Sequence, residues 1–334
     1  MTGSALDLDH SSLEEPPCLL LIGHGTRAPE GVRQFENFAT LVAERARAAG
    51  LDIPATAHGF LEFAEPDVAS AIDELVRGGA SRIVAVPTVL LAAGHLKNDG
   101  PALLAEARRH HRKVTFSYAR DLGVNPATLE VATDLIFANP VLAESPPTAA
   151  RDEEPALDIP PAPSITGRAA VSFRVGPAGE AVCLIGRGST DPDANADLFK
   201  VARLLCDGRG LPLVEPGFVS LAPPSVTDVL DRLLLIGAKK IAVVPYFLFE
   251  GLLADRIAEQ ANRWAEEHPE VVLACSPPMG PDIRLASLVL ERYMEAAGGK
   301  AAMNCDCCIY RSAMPGYEHR HLSFTSHHPA DHRH

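Results

Sequence analysis

The sequence predicts an α/β protein: two tandem doubly wound, Rossmann-like domains with parallel sheets, related by internal duplication. Three observations carry this reading. Short apolar, β-branched runs alternate with longer amphipathic segments. The order of segments occurs twice: Cys18–Arg27 (CLLLIGHGTR) is answered by Ala181–Thr190 (AVCLIGRGST), and His58–Asp99 by a stretch that starts at Pro216 (PGFVSLAPPSVTDVLDRLL). A proline-rich, acidic segment separates the two copies.

In the first half, strands are expected at Cys18–Ile22, Ala55–Phe60, Ile83–Pro87 and Val114–Ser117. These runs lack polar alternation, as strands buried on both faces should. Helices are expected at Val32–Ala49, Pro66–Gly78, Asp99–His110 and Pro126–Ala138. Pro66 and Pro126 suit a first helical turn, where a missing N–H costs nothing, and Gly50, Gly78 and Gly79 suit helix ends. The second half repeats the order, with strands at Val182–Ile185, Val214–Phe218, Ile241–Pro245 and Val272–Cys275. The expected divisions are a flexible N-terminus (1–16), a domain carrying the chemistry (17–142), a linker (143–179), a degenerate second domain (180–297) and a Cys/His-rich tail (298–334). The linker carries seven prolines between Pro146 and Pro177, which makes it an extended segment rather than a core element.

At 334 residues the chain is long enough for two such domains. Hydrophobic residues make up 47% but aromatics only 5%, so the core must be built from Ala, Val, Leu and Ile. The net charge of −13 argues against nucleic acid and anionic membranes as partners, since both call for a basic face. No apolar run reaches the length of a membrane span, and the acidic N-terminus lacks the order of a signal peptide, so the cytoplasm is the expected location. Cys18, Cys183, Cys206 and Cys275 lie in apolar segments and read as core thiols.

The two copies differ where chemistry would sit. Aligning Gly23 with Gly186 puts Arg187 opposite His24, and aligning Gly59 with Gly217 puts Ser220 opposite Glu62. After a one-residue gap, His95 meets Leu252. His24, Glu62 and His95 follow the first, second and third strands, and the loops at the carboxyl ends of such strands line the ligand crevice of an open α/β sheet. Two neutral imidazoles suit a first-row divalent ion such as Co²⁺, Fe²⁺ or Ni²⁺, and a carboxylate beside them can take a proton. A duplicated core must keep its apolar pattern but needs only one set of reactive groups, so this one-sided set marks the site. His58 reads as a structural histidine, Glu65 as part of a solvated loop, and His110 and His111 as exposed helix-end residues. A dinucleotide fingerprint is not met, because Gly23–Ala28 lacks the third glycine and no Walker lysine follows. A phosphohistidine site is disfavoured because Gly23 stands where a phosphate-clamping arginine should precede the histidine.

The tail is a second metal-competent region. Cys305, Cys307 and Cys308 crowd together, and His319, His321, His327, His328, His332 and His334 are six of the chain's thirteen histidines. The thiols suit a soft metal or the edge of a cluster, and the scattered imidazoles suit weak, reversible metal buffering.

On the segments LLIGHGTRAPEG, HGFLEFAEPDV and RIVAVPTVLLAAGHLKND, their degenerate repeats, and Met303–Cys308, the chain resembles the class II tetrapyrrole chelatases. Within them it is similar to the long, duplicated CbiX-type sirohydrochlorin cobaltochelatases. The resemblance implies two chelatase-like domains around a cleft, and ATP-independent insertion of Co²⁺ into sirohydrochlorin in anaerobic, early-cobalt cobalamin biosynthesis. It implies that His24 and His95 hold the substrate metal, that these two and Glu62 are catalytic, and that Arg27, Lys97 and Arg187 meet the eight substrate carboxylates. It further implies a 4Fe–4S cluster at Cys305 and Cys308, with Cys307 a further ligand candidate. A cluster there needs a non-Cys ligand or sharing between subunits, and sharing would make the protein a homo-oligomer. Iron insertion toward sirohaem is the alternative, because imidazoles separate Co²⁺ from Fe²⁺ poorly, and a non-enzymatic metallochaperone or storage role is a further one.

Overall fold

A computed structural model describes residues 16–143, 175–209 and 211–301. In the first half, the order is β1 (Cys18–Gly23), α1 (Pro29–Ala48), β2 (Thr56–Phe60), α2 (Val68–Arg77), β3 (Arg82–Pro87), α3 (Gly100–His110), β4 (Thr115–Tyr118) and α4 (Pro126–Ala138). The second half repeats it as β5 (Glu180–Gly186), α5 (Pro192–Arg209), β6 (Val214–Phe218), α6 (Val226–Leu235), β7 (Lys240–Pro245), α7 (Leu252–Glu267), β8 (Val272–Cys275) and α8 (Ile283–Ala297). Each half forms a four-stranded parallel sheet, ordered β2-β1-β3-β4 and β6-β5-β7-β8. The registers match as well: Gly23 pairs with Phe60 as Gly186 pairs with Phe218.

The central strands are buried throughout, which explains their unbroken apolar runs. Alternate residues serve different cores. Cys18, Leu20 and Ile22 face α2 and α3, whereas Leu19 and Leu21 face a second core that runs on into Val182 and Leu184 of the other sheet. Removing a buried leucine such as Leu19 or Leu184 would cost about 2–5 kcal/mol through lost transfer energy and the cavity left behind.

Local chemistry moves two helix starts. α1 begins at Pro29, three residues before the expected Val32, because Pro29 occupies the first turn and Glu30 follows it there. α2 begins after Asp67, whose carboxylate accepts from Ser70 N at 2.7 Å. Pro66 therefore precedes the cap instead of sitting in the first turn, since Asp67 is the better N-cap. Five residues before α3, His95–Asp99, form a π-helical turn.

The helix that ends each half crosses to the other half's sheet. α8 packs on β3, β4 and α1, and α4 packs on β7 and α5. Polar ties fix the exchange. The buried Arg292 donates to the carbonyls of Asp121 (2.9 Å) and Leu122 (3.0 Å), and the Tyr293 hydroxyl donates to Pro17 O at 2.6 Å. Arg120 meets Glu295 through two hydrogen bonds of 2.8 Å. In return, Asn139, just beyond α4, donates to Ser276 Oγ at 2.9 Å. The two sheets are thus held in one core with their carboxyl edges toward a shared cleft.

Candidate functional site in the cleft between the sheets

The turn after β1 is set by a close backbone approach. Gly25 has φ +90, and a Cβ there would lie 1.8 Å from the Glu62 carbonyl oxygen. The second copy reproduces this with Gly188, at φ +84 and 1.9 Å from Ser220 O. Glu62 N donates to His24 O (3.0 Å), and Ser220 N donates to Arg187 O (3.1 Å). The Gly-X-Gly turn therefore belongs to the scaffold, and only the side chain in its middle distinguishes the copies.

His24 and Arg187 both line a cavity of about 550 Å³ between the sheets, within the range of small-molecule sites. Its walls are largely apolar, with Phe35, Phe60 and Leu90 from one half and Leu198, Phe218 and Phe249 from the other. The charged and titratable residues among them are His24, Arg27, Arg187, Glu250 and Arg256, together with the tyrosines Tyr118 and Tyr246. Three guanidiniums thus line a cleft in a protein of net charge −13, which favours an anionic ligand there. Thr88, next to the end of β3, contributes a buried hydroxyl with no hydrogen-bond partner in the described protein.

The candidate residues divide. His24, Arg27 and Arg187 are brought to the cleft. The Glu62 side chain is exposed, and only its backbone is tied to the His24 turn. The backbone of His95 opens the π-helical turn beyond the β3 loop, and its side chain lies outside what the structure describes. Lys97 requires a correction. Its side chain is 3% exposed and its ammonium donates to Asp191 (2.5 Å) and Asp193 (3.0 Å) of the second half, so it ties the halves together instead of waiting for a ligand carboxylate. Burial alone would lower its pKa, but the two carboxylates outweigh burial and raise it, keeping the lysine charged. Cys305, Cys307, Cys308 and the histidines from His319 to His334 lie outside the described residues, as do most of the linker and the N-terminus. Among the described residues, no three His, Cys, Asp or Glu side chains converge on one point as a metal-holding group, and no helix is long and apolar enough to cross a membrane.

Two charged lining residues were missed by the sequence reading. Arg256 lies on α7, and Glu250 lies on the loop after β7, where its carboxyl is raised by burial and by the charge of Asp255. Looking for gains in the second copy, as well as losses, would have found Glu250, which aligns with Ala93.

A family model described as CbiX matches residues 18–138 and again 181–296, once per half. A sirohydrochlorin cobaltochelatase of Priestia megaterium is 33% identical over 300 residues, covering 88% of this chain and 84% of that one. A sirohydrochlorin ferrochelatase of Bacillus subtilis (strain 168) is 27% identical over 296 residues, covering 88% of this chain and 98% of that one. The solved structure of SirB from Bacillus subtilis with Fe³⁺ superposes with a TM-score of 0.65 at 24% identity, covering 85% of this chain and 97% of that chain, which is a likeness of fold.

Proposed function

The chain belongs to the CbiX family of sirohydrochlorin chelatases, enzymes that insert a divalent metal into a tetrapyrrole, and we propose that this member inserts Co²⁺ into sirohydrochlorin on the way to cobalamin. The reaction is sirohydrochlorin + Co²⁺ → cobalt-sirohydrochlorin + 2 H⁺, with no nucleotide consumed. One observation carries the assignment of roles. The same Gly-X-Gly turn presents an imidazole from one half and a guanidinium from the other to a single cleft.

His24 is proposed to hold the incoming metal as a neutral imidazole, with His95 on the neighbouring strand's loop as its partner. A first-row divalent ion favours such ligands and releases them fast enough to pass to the ring nitrogens. Arg27, Arg187 and the newly found Arg256 are proposed to meet the carboxylates around the macrocycle, where guanidinium–carboxylate pairs give orientation as well as attraction. The two protons lost from the ring nitrogens need acceptors. Glu62, tied by its backbone to the His24 turn, is the candidate on that side. Glu250 on the facing wall is a second, and burial, with the charge of Asp255, makes its carboxylate a stronger proton acceptor than an ordinary one.

Cobalt is favoured over iron by the higher identity to the cobaltochelatase relative, and iron insertion toward sirohaem is the alternative reading. The test is an absorbance assay of purified protein with sirohydrochlorin and Co²⁺, Fe²⁺ or Ni²⁺, offered singly and in competition. Faster insertion of Co²⁺ at equal free metal supports the proposal, and faster insertion of Fe²⁺ replaces it with the ferrochelatase reading.

A further inference from the structure

The loop that follows β2 carries a bulky residue in a backbone conformation that such residues avoid. Phe63 has φ +65, and the equivalent residue of the second half, Leu221, has φ +63. The same stitching imposes both. In the first half, Leu61 N donates to Gly23 O (2.9 Å), Glu62 N to His24 O (3.0 Å) and Ala64 N to Glu62 O (2.9 Å). In the second half, Val219 N donates to Gly186 O (3.0 Å), Ser220 N to Arg187 O (3.1 Å) and Ala222 N to Ser220 O (2.8 Å). A glycine or asparagine would take this φ at the least cost, yet both copies place a large apolar side chain there and leave it in solvent, 56% exposed for Phe63 and 63% for Leu221. The left-handed turn is thus a property of the duplicated scaffold, and the aromatic ring is a property of the first copy alone.

The surroundings of that ring are those of the site. The Arg27 guanidinium lies over it, with Cζ 4.8 Å from the ring centroid, and the His24 ring is 6.3 Å away at 32°. All three residues line the cleft. A cation over an aromatic face is attracted by the ring quadrupole, which limits the directions the guanidinium takes. The pair therefore offers a π surface beside a fixed positive charge, next to the imidazole assigned to the metal. A ligand that is itself a flat π system edged with carboxylates matches both features at once.

We propose that Phe63 is a positioning residue for the tetrapyrrole: capped by Arg27, its ring forms an aromatic shelf beside His24 that seats one edge of the macrocycle and directs the guanidinium to a carboxylate on that edge. This rests on the sirohydrochlorin reading above. The ring holds neither metal nor proton, so it acts on substrate binding and leaves the chemical step to its neighbours.

The experiment is titration of metal-free sirohydrochlorin into the full-length chain, followed by the absorbance and fluorescence of the macrocycle, for wild type, Phe63→Leu, Phe63→Gly, Phe63→Trp, Arg27→Met and the Phe63→Leu/Arg27→Met double variant. Phe63→Leu copies the second half, and Phe63→Gly suits the backbone without offering a ring, so a fold effect and a ring effect separate. Expected are a Kd raised about five- to tenfold in both variants, recovery in Phe63→Trp, and a double variant weakened by less than the product of the single effects. In turnover, KM should rise while kcat stays within about twofold of wild type. Wild-type affinity in Phe63→Leu, or single effects that multiply, would overturn the shelf while leaving the substrate assignment standing. Failure of the wild-type chain to bind the macrocycle at all would overturn both.

Discussion

His24 and Arg187 stand at the same step of the two halves, each directly beyond the glycine that ends its central strand, and both line one cleft. The turns around them share their left-handed glycine and their backbone hydrogen bond to the neighbouring loop. Since the scaffold is the same, the exchange of imidazole for guanidinium changes what that step of the turn offers the cleft, and this is the basis for proposing that His24 holds a cation and Arg187 an anion.

Lys97 tests the reassignment made by the structure. Replacing it with Met leaves Asp191 and Asp193 facing each other without their cation at the boundary between the halves. The expected loss of stability in urea unfolding is about 2–4 kcal/mol, toward the lower end because the Asp193 side chain is 42% exposed. The KM for sirohydrochlorin measured on the folded variant should stay near wild type. A large rise in KM with stability intact would restore Lys97 as a substrate ligand.

Asp121 should make stability depend on pH in an unusual direction. Burial above all, and then the Asp197 charge, raise its carboxyl to about 6 against the opposing pull of Arg120 and Arg292. A carboxyl with a raised folded pKa binds its proton more tightly when folded. Its contribution is therefore full below the ordinary Asp value of about 4 and is lost as pH rises through about 6. Asp121→Asn should melt higher than wild type at about pH 7.5, with the gain vanishing near pH 4 in thermal scans. A gain of equal size at both pH values would contradict the account. The Arg292 bond to the Asp121 carbonyl is to backbone and survives the substitution.

Glu62 and Glu250 make separable predictions for the proton acceptor. If Glu250 takes a ring proton, the wild-type rate should climb with pH as that raised carboxyl ionises, and Glu250→Gln should flatten this acid limb while lowering kcat about 10- to 100-fold. If Glu62 does the work, Glu62→Gln carries that loss and Glu250→Gln keeps the wild-type profile. Wild-type kcat in both variants would remove carboxylates from the proton step.

Much of the fold was legible because strands buried on both faces must be apolar throughout, so β1, β3, β5 and β7 announce themselves. The crossing of α4 and α8 was not legible, since an apolar helix face says that it is buried but not against which sheet. The placement of His24, Arg27 and Arg187 along the cleft was readable from strand-end position, and the exchange of His24 for Arg187 from the difference between copies. Lys97 was readable as a charge at a loop, but its carboxylate partners lie 94 and 96 residues away and come together only through the packing of the two halves. Phe63 was missed because local sequence does not mark a left-handed φ when the residue is neither Gly nor Asn.

The central claim is that one half handles metal while its copy handles substrate charge. The most direct measurement is steady-state cobalt insertion, at varied sirohydrochlorin, by His24→Ala and Arg187→Ala side by side. The account predicts that His24→Ala lowers kcat at least about 100-fold while still binding metal-free sirohydrochlorin, and that Arg187→Ala keeps kcat within about threefold while raising KM about tenfold. Wild-type kcat in His24→Ala, or a collapse of kcat at unchanged KM in Arg187→Ala, would contradict it.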